Sequence, residues 1–188
     1  MNVYEAIIMV LEKKESATIP SIWEEITKLD SVGDICFDTS HLKTMIGLKK
    51  EWFQVKGELV TLRPERDPVK LTFSQSSHPG PEVKISIDFI RNSFVFLEWH
   101  FNGTKAATSL PHHKHGSVSE FRKALYSLHI WDWEKDYQSD GIIVDGVSWS
   151  IVLETKGALY QSEGLESFPK EWKNFYRSLK LLTGVVLK

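Results

Sequence analysis

The densest set of titratable side chains in the sequence is His112-His113-Lys114-His115, three imidazoles within four residues. Such a run can offer nitrogen ligands to Zn²⁺ or another borderline metal, with His78 or His100 as a fourth. Neighbouring residues of an extended chain point apart, so adjacent histidines share one ion only in a special loop. Pro111 and Gly116 bracket the run and mark a loop ahead of a helix start. The dipole there favours an anion such as phosphate over imidazolium. An exposed loop is therefore the preferred reading, and a metal site on His112, His113 and His115 is the alternative. Asp145, Glu154 and Lys156 form a second trace of chemistry, the acids and lysine of a metal-dependent nuclease or hydrolase half-site. Lys156-Gly157 is read more simply as a hairpin turn. The sequence holds no glycine-rich phosphate loop, nucleophile elbow or His-Glu-x-x-His, so no catalytic residue is assigned and no cofactor is expected.

Two further groups point to binding. Trp131, Trp133 and Tyr137, with Asp132 and Asp136 at the lip, have the composition of an aromatic-walled groove for bases, sugars or peptide prolines. Packing against a sheet accounts for the same rings, since each buries about 150–250 Å². Lys43, Lys49, Lys50 and Lys56 cluster in the first third. On a helical wheel Ser40, Lys43, Thr44 and Gly47 oppose Leu42, Met45 and Ile46, with His41 and Lys50 at the flanks. That face can enter a major groove and touch bases or phosphates.

Periodicity supplies the elements that hold these residues. Asn2 with Glu5 and Ser21 with Glu24 have capping-box spacing, and each precedes a helical apolar stripe. Ala17 to Ile19 is a candidate short strand between the two helices, and 30–38 reads as a loop. A third helix is expected from Asp38 or Thr39 to about Lys49. Two β-rich runs, 52–55 and 58–62, follow as a hairpin around Lys56-Gly57. Pro64, Pro68, Pro79 and Pro81 break regular structure over 64–82, and with a Ser-rich run they make 67–82 a linker, although Val69 to Phe73 retains the composition of a strand. Strands are expected at 83–89, 94–101, 106–110, 147–154 and 158–162. Helices are expected from Ser117 and from Pro169. The fold class is α+β: residues 1–66, then an antiparallel sheet over 83–188 with two helices on one face.

Length and charge narrow the function classes. A chain of 188 residues allows one or two small domains. Its formal charge of −2 excludes a nucleic-acid binder working by bulk electrostatics and a polybasic membrane-surface protein. No apolar stretch approaches the roughly 20 residues of a membrane span, and no signal-peptide layout opens the chain, so a cytoplasmic protein without a membrane partner is expected. A single cysteine, Cys36, excludes an internal disulfide and reads as a small buried hydrophobe. Seven tryptophans are the compositional excess, five of them in the second half.

Three helices closed by a hairpin, with a short strand after the first, is the layout of a winged helix. Tyr4-Glu5-Ala6, Ile19-Pro20-Ser21-Ile22-Trp23-Glu24-Glu25-Ile26 and Trp52 to Leu62 resemble the HARE-type winged helix-turn-helix family. The resemblance covers about a third of the chain. It implies a DNA-linked or transcription-linked role, with Ser40, His41, Lys43, Thr44, Lys49, Lys50 and Lys56 at double-stranded DNA or a DNA-bound protein. Residues 1–68 hold nine basic and twelve acidic side chains, so a protein-contact role for the same fold stays open. Farther on, Trp131-Asp132-Trp133-Glu134, Tyr137, Asp145-Gly146-Val147-Ser148-Trp149, Gly164, Phe168-Pro169 and Trp172 resemble a group of small bacterial proteins of uncharacterised activity. Members often carry Asn-x-Tyr-Pro after the glycine, whereas here the stretch is Leu165-Glu166-Ser167-Phe168-Pro169. That resemblance implies an accessory, inhibitor or immunity-type module, with Trp131, Asp132, Trp133 and Tyr137 facing a protein partner.

Overall fold

The computed structural model describes residues 3–29, 38–77, 80–100, 115–138 and 145–187. They form an α+β protein of two compact units, Met1–Asp67 and Pro68–Lys188. Several expected features lie outside the described residues: the Asn2 cap, Cys36 and most of its loop, and the strand at 106–110.

In the first unit, α1 (Val3–Lys14) is followed by β1 (Ser16–Thr18), α2 (Ile19–Thr27), α3 (Thr39–Leu48), β2 (Phe53–Lys56) and β3 (Leu59–Leu62). Ala6, Ile7, Val10 and Leu11 of α1 meet Ile22 and Ile26 of α2 and Leu42 and Ile46 of α3 in one core, all at most 5% exposed. The start of α2 differs from the expected capping box. Thr18, extended at φ −77°, accepts from the Ser21 N–H, so the helix begins at Ile19 with Pro20 in its first turn. Proline suits that place because its missing N–H has no helical partner there. The strands order β1-β3-β2, all antiparallel. Lys56 pairs with Leu59, so the tight turn is Gly57-Glu58, one residue beyond the expected Lys56-Gly57. Gly57 sits at φ 62°, the left-handed conformation that two-residue hairpin turns demand.

The second unit is one six-stranded sheet in the order β6-β5-β4-β8-β9-β7. Its strands are β4 (Pro68–Ser77), β5 (Pro81–Asp88), β6 (Ser93–His100), β7 (Asp136–Gln138), β8 (Val147–Thr155) and β9 (Leu159–Leu165), with helices α4 (Val118–Leu128) and α5 (Trp172–Thr183). The expected linker is corrected here. Residues 68–77 form β4, which lies inside the sheet between β5 and β8. Pro68 and Pro81 are tolerated because each is the first residue of its strand. The sheet is also mixed rather than antiparallel throughout, since β7 runs parallel to β9.

Alternation decides which face is covered. Leu71 and Phe73 of β4 register with Ile87 and Ile85 of β5 and with Leu153 and Ile151 of β8, and all six are buried. Both helices lie on that face: Phe73 meets Phe175 of α5 edge-on at 5.4 Å, Phe89 stacks on Phe121 of α4, and Phe121 meets Phe175. The opposite positions Thr72, Ser74, Lys84 and Ser86 are polar, the pattern of a sheet wet on one side.

Candidate nucleic-acid interface

Helix α3 starts where Asp38 accepts the His41 N–H on its carboxylate at 2.8 Å. Leu42 and Ile46 anchor it in the core, while Ser40, His41, Lys43, Thr44 and Gly47 are exposed on its other side. The hydroxyl of Thr44 is committed locally, donating to the Ser40 carbonyl at 3.0 Å. Beyond the helix the chain folds back through bonds from the Trp52 and Phe53 N–H groups to the Lys49 carbonyl. Arg63, at the foot of the hairpin, donates from Nε to the Lys50 carbonyl and so ties β3 to the end of α3. Nothing in the sequence pattern singled out Arg63, because its partner is a backbone group 13 residues away.

The four lysines separate into two kinds. Lys49 lies 5.1 Å from the Trp52 ring centroid and 5.9 Å from that of Tyr4, and pairs with Glu51 at 3.4 Å. Burial raises the pKa of the Glu51 carboxyl, but a backbone hydrogen bond and Lys49 outweigh it and hold the group below its ordinary value. Lys49 is thus engaged within the fold by two rings and a carboxylate. Lys43, Lys50 and Lys56 are exposed and form no ion pair among the described residues. Of the acids of this unit, Asp38, Glu51 and Glu58 lie along the same stretch as these lysines, whereas two others are on α2. Glu24 and Glu25 on α2 are engaged by Lys28 and Lys14, at 3.0 and 3.1 Å. The hydrogen bond from Lys14 and its charge hold the Glu25 carboxyl below its ordinary value. Residues 38–58 contain four lysines against three acids, Asp38, Glu51 and Glu58, although the region 1–68 carries −3 overall. Leu48 and Val55, 72% and 53% exposed, add apolar surface to the helix end and the hairpin.

The aromatic residues of the second unit are mostly committed to packing. Trp131 is 6% exposed and meets Tyr126 edge-on at 5.4 Å. Trp133 donates from Nε1 to the Leu128 carbonyl at 3.1 Å and contacts the Trp149, Trp172 and Phe175 rings. Tyr137 accepts the Glu134 N–H on its hydroxyl, and its ring lies 5.6 Å from Trp149. Asp132 is exposed, 3.3 Å from Nδ1 of His129. A depression of about 160 Å³ is lined by Trp131 and Trp133, with Ile130, Lys135 and Tyr160, and Asp132 and Tyr137 lie outside its lining. The tryptophan of the Asp-Gly-x-x-Trp pattern is accounted for by packing. Trp149 stands opposite Gly164 in the β8–β9 ladder, donates to the Ser167 carbonyl at 2.9 Å, and lies 4.5 Å from Trp172.

Of the histidine run, His112 and His113 lie outside the described residues, as do His78 and the side chain of His100. His115 places Nδ1 3.3 Å from the Thr183 carbonyl and its ring 5.9 Å from that of Phe94. Among the described residues no three His, Cys, Asp or Glu side chains are placed to hold one metal ion, and none of the helices is long and apolar enough to cross a membrane. Comparison with family models, curated proteins and solved structures finds no match to this chain.

Proposed function

We propose that the first unit is a winged helix and that it attaches this chain to duplex DNA as a non-enzymatic accessory protein. The observation that carries the reading is the separation of charge. Lys43 on α3, Lys50 just beyond it and Lys56 on β2 stand exposed and form no ion pair among the described residues, while Glu24 and Glu25 are paired on α2. Exposed lysines position a helix on phosphates, and the small side chains of Ser40 and Gly47 admit close approach to base edges. Asp38 takes the His41 amide at the start of α3, and its carboxylate charge there disfavours phosphate at the helix end, which leaves phosphate to the lysines.

Anisotropy titration of a labelled 20-base-pair duplex between 50 and 200 mM salt tests this. Neutralising three phosphates gives a log–log salt slope of about −2.7. Lys43→Glu and Lys50→Glu each weaken binding and flatten that slope by about one, whereas Lys49→Ala costs stability and leaves the slope unchanged. Failure to bind any duplex, or binding indifferent to Lys43 and Lys50, defeats the proposal. A protein already bound to DNA is the second reading, favoured by exposed Leu48 and Val55, which no phosphate requires.

A further inference from the structure

The depression beside Trp131 and Trp133 opens against the one stretch of β9 that β7 leaves uncovered. β7 begins only at Asp136, which registers with Glu163, so β9 from Leu159 to Ser162 has β8 on one side and no strand on the other among the described residues. The direction of its backbone groups follows from one bond. Glu163 donates its N–H to the Lys135 carbonyl and therefore faces away from β8. The two-residue period of a strand turns the N–H and C=O of Gln161 and Leu159 the same way. Neither residue has a backbone partner on that side among the described residues. Continued backwards in register, β7 would cover these groups with 132–134. Instead the chain passes onto the helix face, held there by the Ser162 hydroxyl donating to the Glu134 carbonyl at 2.6 Å. The gap that results is the depression, lined by Ile130, Trp131, Trp133, Lys135, Ile151 and Tyr160 among others.

We propose that this edge receives an extended peptide segment, added as a further strand on Leu159–Gln161, with one aromatic side chain in the depression and an acidic residue beside it. Four unfilled backbone groups are what a strand satisfies, and every second side chain of such a strand points to the helix face. The volume of about 160 Å³ is close to that of a cavity that takes benzene, about 150 Å³, so it has room for a single ring. Lys135 sets the charge preference, since it lines the depression and forms no ion pair among the described residues. The proposal is independent of DNA binding, because every residue it uses lies in the second unit.

The test uses the full chain and a random dodecapeptide library displayed on phage. Enriched peptides carry an aromatic residue next to Asp or Glu, and a synthetic copy shifts and protects the Leu159 and Gln161 amides in NMR spectra. In the free protein the Gln161 amide exchanges quickly while the inward-facing Ser162 amide is slow. Gln161→Pro removes an outward N–H where an edge strand tolerates proline, and it weakens the selected peptide about tenfold. Lys135→Glu turns the selected acid into Lys or Arg without disturbing the fold. Four results overturn the proposal: no enrichment, peptides indifferent to Gln161→Pro, a Gln161 amide already protected in the free protein, or a concentration-dependent dimer abolished by Gln161→Pro, which assigns the edge to a second copy.

Discussion

Tyr176 and Gln75 make the one polar contact that links α5 to the middle of β4 among the hydrogen bonds described, the tyrosine hydroxyl donating to Oε1 of the amide. Gln75 is 5% exposed, so deleting its donor leaves a carbonyl oxygen with less than its due. Tyr176→Phe is expected to cost about 1 kcal/mol, or about 2–4 °C in melting temperature, measured by calorimetry. The same residue sets an alkaline limit. Burial raises its pKa from 10.0 to about 12. Between those values the unfolded chain loses a proton that the folded one keeps, so stability is whole below pH 10 and declines towards pH 12. Urea midpoints over that range should fall less steeply in Tyr176→Phe, and an unchanged slope would dissociate the loss from this hydroxyl. Lys49 shows the converse case, a charge held against the rings of Tyr4 and Trp52 and the carboxylate of Glu51.

At the scale of elements, two glycines separate two kinds of constraint. Around Gly57 a Cβ would meet nothing within 4 Å, yet the residue holds φ 62°. Gly57→Ala is therefore a purely backbone cost of about 1–2 kcal/mol. Gly164 is a matter of space, since a Cβ there would lie 2.7 Å from the Trp149 ring and from the Ser167 carbonyl. Trp149 is 3% exposed and cannot yield, so Gly164→Ala should cost at least about 1–3 kcal/mol and blunt the near-ultraviolet circular dichroism of the tryptophans. A Gly164→Ala variant with unchanged tryptophan circular dichroism would contradict this division. The same contrast explains what was legible in the sequence. The Asp38 cap of α3, the hairpin after it and the alternation of β5 are local signals, and each was readable. β4 was obscured because prolines crowd its ends and Gln75 stands where an apolar residue belongs. β7 is three polar residues long, Asp136–Gln138, and exists through pairing with a strand 27 residues away. Of the candidate interface, the exposed side of α3 was legible. That Lys49 is spent on two rings was not, because those rings come from α1 and from the residue before β2.

For the whole molecule, each unit buries a core of its own, and no residue lies between Asp67 and Pro68 to serve as a spacer. Chains of about 60 residues bury only about 60% of the surface their unfolded state exposes, so the first unit is the more marginal one. Fragments 1–67 and 68–188 should each fold, the second melting higher and keeping the tryptophan circular dichroism of the full chain. A fragment 68–188 with a fluctuating core would refute that independence. The place of β4 inside the sheet has a further consequence, in time. During synthesis the first unit is complete when Asp67 emerges, and β4 and β5 follow at once. β8, the other neighbour of β4, comes roughly 70 residues after Ser77. At about 5–20 residues per second that is a wait of about 4–14 s. Through that interval one side of the strand waits for its partner, so the nascent chain has its most association-prone moment just after the first unit is finished.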